Sequence, residues 1–422
     1  MRLNNPAMLL CSTLLPILLV PILLATAAPA AEPAALEVST WKGGGGEIAN
    51  VPALVAKFEQ QNPDIRVKLE YMTRVDTATV IPTRLQGGSA PDVMMVDRQL
   101  MGQWGAAGQL MDLRHEPWVD TVDPKLRQYM EPSGTHGGAV YMLPLEVVGM
   151  GLFANTDLLA KAGIDHVPTT AAELKADCGR LHAAGITPML VPAKDGWGPG
   201  MWATTWTLAP GIGQPTPLDE KFVTGQAKFA DDLGANAALH GLAELADAKC
   251  FDPKLNVGVD TWSIALSEFK AGHVAMEAQG AWNIQRFSAN KKLRFVFAPL
   301  PSLAGGDGVG MDLVGSSWAV NAATKNAVAA KRWMAFWSRD ENLSQFLLAE
   351  SAFTPLQAGS TVMPANAQLY TDAHRAGHVI ISPDGTWKQK LIDAMQHSLT
   401  AYFLDIRQDP KPILARWDAA AG

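Results

Sequence analysis

The chain has 422 residues, 48% of them hydrophobic, and a formal net charge of −7. That length supports two lobes with separate cores. The acidic balance repels phosphodiester backbones and anionic headgroups, which excludes nucleic acid and membrane surfaces as expected partners.

The first segment reads as a secretory leader. Arg2 precedes an apolar run from Met8 to Leu24, and small residues follow from Ala25 to Ala30. That order predicts a signal peptide over residues 1–27, cleaved after Ala27. No later segment approaches the ~20 apolar residues of a membrane span. Cleavage removes Cys11 and leaves Cys178 and Cys250 in a chain sent to an oxidising compartment. A disulfide between them would contribute roughly 4 kcal/mol in the chain-entropy model. Two buried free thiols are the alternative, because sequence does not supply the geometry.

After the leader, "LEVSTW" predicts a strand and "VPALVAKFEQQN" a helix, with Val51, Leu54, Val55 and Phe58 at helical spacing, Pro52 in the first turn and Pro63 as a stop. "IRVKLEYM" alternates Ile65, Val67, Leu69 and Tyr71 against Arg66, Lys68 and Glu70, a second strand. "DVMMVD" and "AVYMLPL" are further strand candidates, separated by helical stretches such as "PTRLQGG" and "LMGQWGAAGQL". From Gly149 the pattern restarts. "MGLFAN" predicts a strand, "TDLLAKAG" and "TAAELKADCGRLHAAG" helices ended by Gly163 and Gly185, and "TPMLVP" a strand. A helix-rich stretch to Gly272 precedes "HVAMEAQG" and "LRFVFAPLP", and a proline- and glycine-rich connection runs from Ala298 to Gly310. Then "SSWAVNA" reads as a strand, residues 326–351 as one long amphipathic helix, and the tail as mostly helical. Alternating strands and helices predict an α/β fold with largely parallel sheets.

Four consecutive glycines, Gly43 to Gly46, follow Trp41. A phosphate-cradling loop ends in Gly-Lys-Ser/Thr, whereas this one ends in Gly46-Glu47-Ile48. There are 13 tryptophans and 13 phenylalanines against 5 tyrosines. A flat ring beside a bare backbone suits the apolar C–H face of a sugar, and carboxylates suit its hydroxyls.

The ordered landmarks "LEVSTWKGGGGEIANVPALVAKFEQQNPDIRVKLE", "APDVMMVD", "AAGQLMDL", "YMLPLEVVGMGLFANTDLLAKAGI", "HVAMEAQGAWNI", "FAPLPS" and "GSSWAVNAATKNAVAAKRWMAFWS" resemble the extracellular solute-binding proteins of sugar ABC importers, the maltose-binding-protein-like group. The resemblance spans about residues 36 to 400. It implies a two-lobed periplasmic-binding-protein fold with a hinge and an interlobe ligand cleft. The first lobe would be residues 36–147 plus 301–351, the second 148–300 plus 352–422.

The resemblance also implies site residues. Trp41 stands at the carboxyl end of the first strand, where such sheets bind ligands. Glu47 would accept hydroxyls or cap the next helix. Asp97, ending "DVMMVD", and Glu146, at the hinge crossing, would meet a ligand or serve in a hinge ion pair or cap. In the second lobe Trp282 of "AQGAWNI" resembles a Gly-Pro-Trp turn whose ring stacks on sugar, with alanine here in place of proline. "KDGWGPGMWATTW" adds Trp197 and Trp202, with Trp206 assigned to the core. Asp312 of "VGMDLVGSS" would return to the cleft on a loop. Trp318, Trp333 and Trp337 read as core, the last two because they sit four apart on a helix.

The expected function is capture of a mono- or oligosaccharide by domain closure, and its delivery to an inner-membrane ABC permease by a periplasmic monomer. No cofactor, metal or covalent chemistry is expected. The sequence contains no H-E-x-x-H, C-x-x-C or G-x-S-x-G motif. Two rival readings stay open: a secreted glycan-active enzyme using tryptophans and two carboxylates, and the same fold binding a small anion or polyamine, with Arg98 as an anion's counter-charge.

Overall fold

The computed structural model describes residues 33–43, 50–132, 138–214 and 217–422. The leader and Glu47 lie outside these described residues, as do Gly44 to Gly46.

Strands come from segments that alternate or run apolar between turn residues. The first four are β1 (Ala34–Thr40), β2 (Ile65–Tyr71), β3 (Val93–Val96) and β4 (Leu143–Pro144). The chain then crosses to a second sheet for β5 (Val147–Asn155), β6 (Thr187–Leu190), β7 (Val274–Gly280), β8 (Phe295–Ala298) and β9 (Gly310–Val314). It returns for β10 (Ser317–Val320) and crosses again before β11 (Val379–Ile381). The first sheet has the order β2-β1-β3-β10-β4, the second β11-β9-β5-β7-β6, with β8 also paired to β5. Each is parallel but for one strand, β10 in the first and β5 in the second.

Two sheets with separate helical cover make the two lobes, and the crossings meet at one place. Glu146 lies between β4 and β5, and Gly315 and Ser316 lie between β9 and β10. Phe353, beyond the helix Asp340–Glu350, exchanges backbone hydrogen bonds with Val147 of 2.8 and 2.9 Å. The connection from 301 to 314 differs from the expected boundary. Met311, Asp312, Leu313 and Val314 pair with β5, so this stretch lies in the second sheet and the crossing falls at Gly315. The sequence reads as a loop because of its glycines, yet β5 and β11 on either side supply ladder partners that satisfy its backbone.

The first lobe's core gathers around the helix Ala327–Trp337. Trp333 and Trp337 meet Trp318 of β10 at centroid distances of 5.6 Å each, and Phe58 packs edge-on to Trp333 at 5.1 Å. All four rings are fully buried. The single helix expected over 326–351 is instead two, Ala327–Trp337 and Asp340–Glu350. Arg339 is extended between them, Asn342 Nδ2 donates to Phe336 O at 2.7 Å, and Ser338 Oγ donates to Ala335 O at 3.0 Å. Polar side chains thus satisfy carbonyls that an unbroken helix would have paired.

In the second lobe Tyr370 lies flat across β5 and β9. A Cβ would come to 2.4 Å of its ring at Gly149 and to 2.7 Å of its hydroxyl at Gly310, so only glycine admits this approach. Cys178, on the helix Ala171–Ala183, and Cys250 are joined by a disulfide with their Cα atoms 5.0 Å apart, 72 residues apart in sequence.

Candidate functional site

The carboxyl end of β1 delivers Trp41 to the place where the chain crosses between lobes. Its Nε1 donates to Ser316 Oγ at 3.1 Å, and its ring packs half-buried on the first core. The next residue, Lys42, is buried; its ammonium is 3.6 Å from Glu146 Oε1 and hydrogen-bonds Glu350. Glu146 is buried too, and its Oε1 accepts the Ser316 backbone N–H at 2.9 Å. Its other oxygen, Oε2, has no partner among the described residues. Trp41 and Glu146, far apart in sequence, are thus joined through Ser316. Lys42 compensates the carboxylates that burial would otherwise penalise.

The second lobe answers with a row of tryptophans. Trp197 and Trp262 have ring centroids 5.1 Å apart, and Trp262 and Trp282 lie stacked with centroids 6.5 Å apart. Trp197 opens the helix Trp197–Leu208, and Asp195 fixes that start by accepting its backbone N–H at 3.0 Å and Thr261 Oγ1 at 2.9 Å. Gly196 between them has φ of 71°, and a Cβ there would collide with the Gln396 carbonyl. Trp282 lies over Gly280 at the end of β7, where a Cβ would overlap the ring, and it packs partly buried against the hydrophobic clusters on either side of the second sheet.

Trp262 is the member that sequence reasoning missed. It is 49% exposed and sits in the turn "VDTWS", where Asp260 Oδ1 accepts hydrogen bonds from Trp262 N at 3.0 Å and Ser263 N at 2.7 Å. The Ser263 hydroxyl also donates to it, and these contacts hold the Asp260 carboxyl below its usual range. An Asx turn that ties down the backbone while presenting a large ring to solvent was the available signal.

Other candidates fall elsewhere. Trp202 is fully buried, edge-on to Trp206 at 5.0 Å, and belongs to the second core. The helix carrying it is buried on nearly every side, so only its first residue, Trp197, reaches the row. Asp312 is also buried: its oxygens lie 3.0 Å from the Tyr370 hydroxyl and 2.7 Å from His374 Nδ1. Its strand turns it toward the helix Gln368–Ala376, a packing role in place of the expected loop contact. Asp97 caps the helix Arg98–Ala106 through Leu100 N at 2.9 Å and pairs with Arg74 Nε at 2.7 Å.

Behind Trp197 lies a cavity of about 120 Å³, walled by Met150, Met201, Met311, Trp387 and the loop carrying Ser382 and Asp384. Burial pushes the Asp384 carboxyl up to about 6, opposed by the nearby Arg98 charge. A wider groove of about 590 Å³ runs beside β6, and none of the ligand candidates lines it. Among the described residues no cluster of His, Cys, Asp or Glu is arranged to hold a metal, and no helix is long and apolar enough to cross a membrane.

Comparison with known proteins gives a consistent picture. Residues 44–343 match the family described as bacterial extracellular solute-binding protein. The maltodextrin-binding protein MdxE of Bacillus subtilis (strain 168) is 24% identical over 306 residues, 70% of this chain and 68% of that protein. A maltooligosaccharide ABC transporter solute-binding lipoprotein of Streptococcus pneumoniae (strain ATCC BAA-255 / R6) is 26% identical over 322 residues, 74% of this chain and 69% of that protein. In fold, the chain is similar to RafE solved in complex with raffinose, with a TM-score of 0.72 at 17% identity, covering 92% of this chain and 98% of that one.

Proposed function

The chain belongs to the bacterial extracellular solute-binding proteins, and from that premise we propose that it captures a mono- or oligosaccharide between its lobes and hands it to an ABC permease in the membrane. The observation that carries this reading is the row Trp197, Trp262 and Trp282, which ends over Gly280 at the close of β7. Successive flat rings give sugar C–H faces a platform at low entropic cost. Where the chain crosses between the sheets, Trp41 adds a ring at the end of β1, and Glu146 offers a buried carboxylate oxygen with no partner among the described residues. Such an acceptor makes the stronger kind of hydrogen bond to a hydroxyl. The names of the relatives, which include maltodextrin and maltooligosaccharide binders, agree in ligand class.

The mechanism is domain closure. A ligand touching both lobes makes contacts available only when they are together, and so shifts the population toward that form. No bond in the sugar is made or broken. On this reading residues 1–27 are a leader removed on export to the periplasm, the second lobe extends to Val314 before the chain returns to the first, and the protein works as a monomer.

A thermal-shift screen against mono-, di- and oligosaccharides, with phosphate, citrate and polyamines as controls, tests the reading. A ligand bound only to the folded state raises Tm by mass action. The expected outcome is a selective rise with one sugar class, with the sugar recovered unchanged. A rise with anions or polyamines alone overturns the ligand assignment, and glycan cleavage overturns the binding role.

A further inference from the structure

The loop Ser382–Thr386 is held from both lobes. Its own lobe anchors it first: Ser382 N donates to Asp312 O of β9 at 2.7 Å, Thr386 Oγ1 to Asp219 Oδ2 at 2.6 Å, and Trp387 Nε1 to Asp219 O at 3.2 Å. From the first lobe, the Tyr129 hydroxyl donates to Ser382 O at 2.9 Å and Arg98 Nη2 donates to Gly385 O at 3.2 Å. Tyr129 lies in the segment between β3 and β4 of the first sheet, and Arg98 opens the helix that follows β3.

Both donors are buried, Tyr129 at 1% and Arg98 at 4% exposure. Burial raises the Tyr129 phenol above its ordinary value, so the hydroxyl keeps its proton and remains a donor. The Tyr129 ring lies against Gly385 so closely that a Cβ there would approach it to 2.6 Å. Arg98 and Asp384 attract across the same seam, which partly offsets the burial of each charge. The inner side of the loop is a different surface: Ser382, Pro383 and Asp384 wall the cavity behind Trp197.

We propose that the loop Ser382–Thr386 is an interlobe latch, gripped on its outer side by Tyr129 and Arg98 while its inner side shapes the cavity. Separating the lobes must expose the Tyr129 ring and break two hydrogen bonds from buried donors to backbone carbonyls. The latch therefore holds part of the ligand-free population closed. Because one loop forms both the seam and the cavity wall, filling the cavity and closing the lobes act on the same backbone. The inference concerns the protein without ligand and goes beyond the sugar reading.

The test is a distance measurement between lobes. Val75→Cys in the first lobe and Leu233→Cys in the second replace exposed residues, 70% and 87% accessible, and each takes a nitroxide label. Pulsed electron spin resonance then gives the interlobe distance distribution in the ligand-free protein. Tyr129→Phe keeps the ring and removes the hydrogen bond, and should broaden the distribution and change its mean. Gly385→Ala presses on the ring from the other lobe and should change it further. If Gly385→Ala fails to fold, Arg98→Lys, which lacks the Nη2 donor, replaces it. The parental distribution in every variant that folds overturns the latch. A protein that binds no sugar still yields this result, so failure of the sugar reading and failure of the latch are distinguishable. Where a sugar does bind, Tyr129→Phe should weaken it by about 5-fold, the effect of one hydrogen bond made only in the closed form.

Discussion

Trp318, Trp333 and Trp337 in the first lobe and Trp197, Trp262 and Trp282 in the second use the same side chain for different ends. The first three are 0% exposed and meet one another at 5.6 Å between centroids. The second three sit at a helix start, in an Asx turn and over a strand-end glycine, and Trp262 is 49% exposed. What separates them is the backbone setting. A tryptophan on the regular face of a helix or strand inherits that face's burial, whereas one at the junction of an element is held by its backbone and keeps part of its ring exposed.

The comparison breaks most visibly if the buried group proves dispensable. Trp333→Ala removes a ring packed against Phe58, Trp318, Phe336 and Trp337. Denaturant unfolding should show a loss of about 3–5 kcal/mol, the range for emptying a large aromatic site in a core. Sugar affinity of the fraction that remains folded should be unchanged. A stability loss below about 1 kcal/mol, the level of an ordinary substitution, would remove the distinction between the groups.

Trp282→Ala sharpens it from the other side. Calorimetry should show sugar binding weakened by about 1–3 kcal/mol, roughly 5- to 150-fold in Kd, as one stacking ring is lost. Its unfolding free energy should fall by less than that of Trp333→Ala. Unchanged affinity in this variant would detach the aromatic row from the ligand.

The same contrast explains what could be read from sequence. Alternation in "IRVKLEYM" and the four-residue spacing of Trp333 and Trp337 fixed a strand and a buried helix face, because local periodicity there agrees with the tertiary environment. Trp197 was singled out by its flanking glycines, and Trp282 by the resemblance of its turn to a Gly-Pro-Trp turn. Trp197 stood ahead of Trp202 because glycines flank it, but a helix buried nearly all round has no polar face to show that the Trp202 ring is turned inward. Asp312 sits among glycines that suggest a loop, and only the pairing of β9 with β5 and β11 turns it inward. The division at Ser338 and Arg339 depends on Asn342 reaching back to Phe336, a contact that no hydrophobic pattern records. The grip of Tyr129 on Ser382 spans 253 residues and lies wholly beyond local reasoning.

The lobes differ once more in how they bury carboxyls. Glu146, at the crossing, keeps Lys42 and the Ser316 amide as partners. Glu277 of β7 is 0% exposed, and neither of its oxygens has a partner among the described residues. It stands opposite Phe153 in the ladder, on the face where Phe153 meets Phe269, Phe287, Phe295 and Phe297. Burial raises its pKa well above the usual carboxylate range, which favours the neutral acid in the folded chain. In the unfolded chain the same group ionises near its ordinary value of 4.5. Above that pH the unfolded state binds fewer protons than the folded one, so this group's contribution to stability is complete below pH 4.5 and declines as pH rises toward the folded pKa. For one proton the decline is at most about 1.4 kcal/mol per pH unit. Glu277→Gln keeps the shape and removes the titration. Its stability relative to the parent should therefore rise between pH 5 and pH 8, measured by urea unfolding at each pH. Parallel pH profiles would mean that Glu277 is ionised in the fold, and that the second lobe has a partner for it as the first has for Glu146.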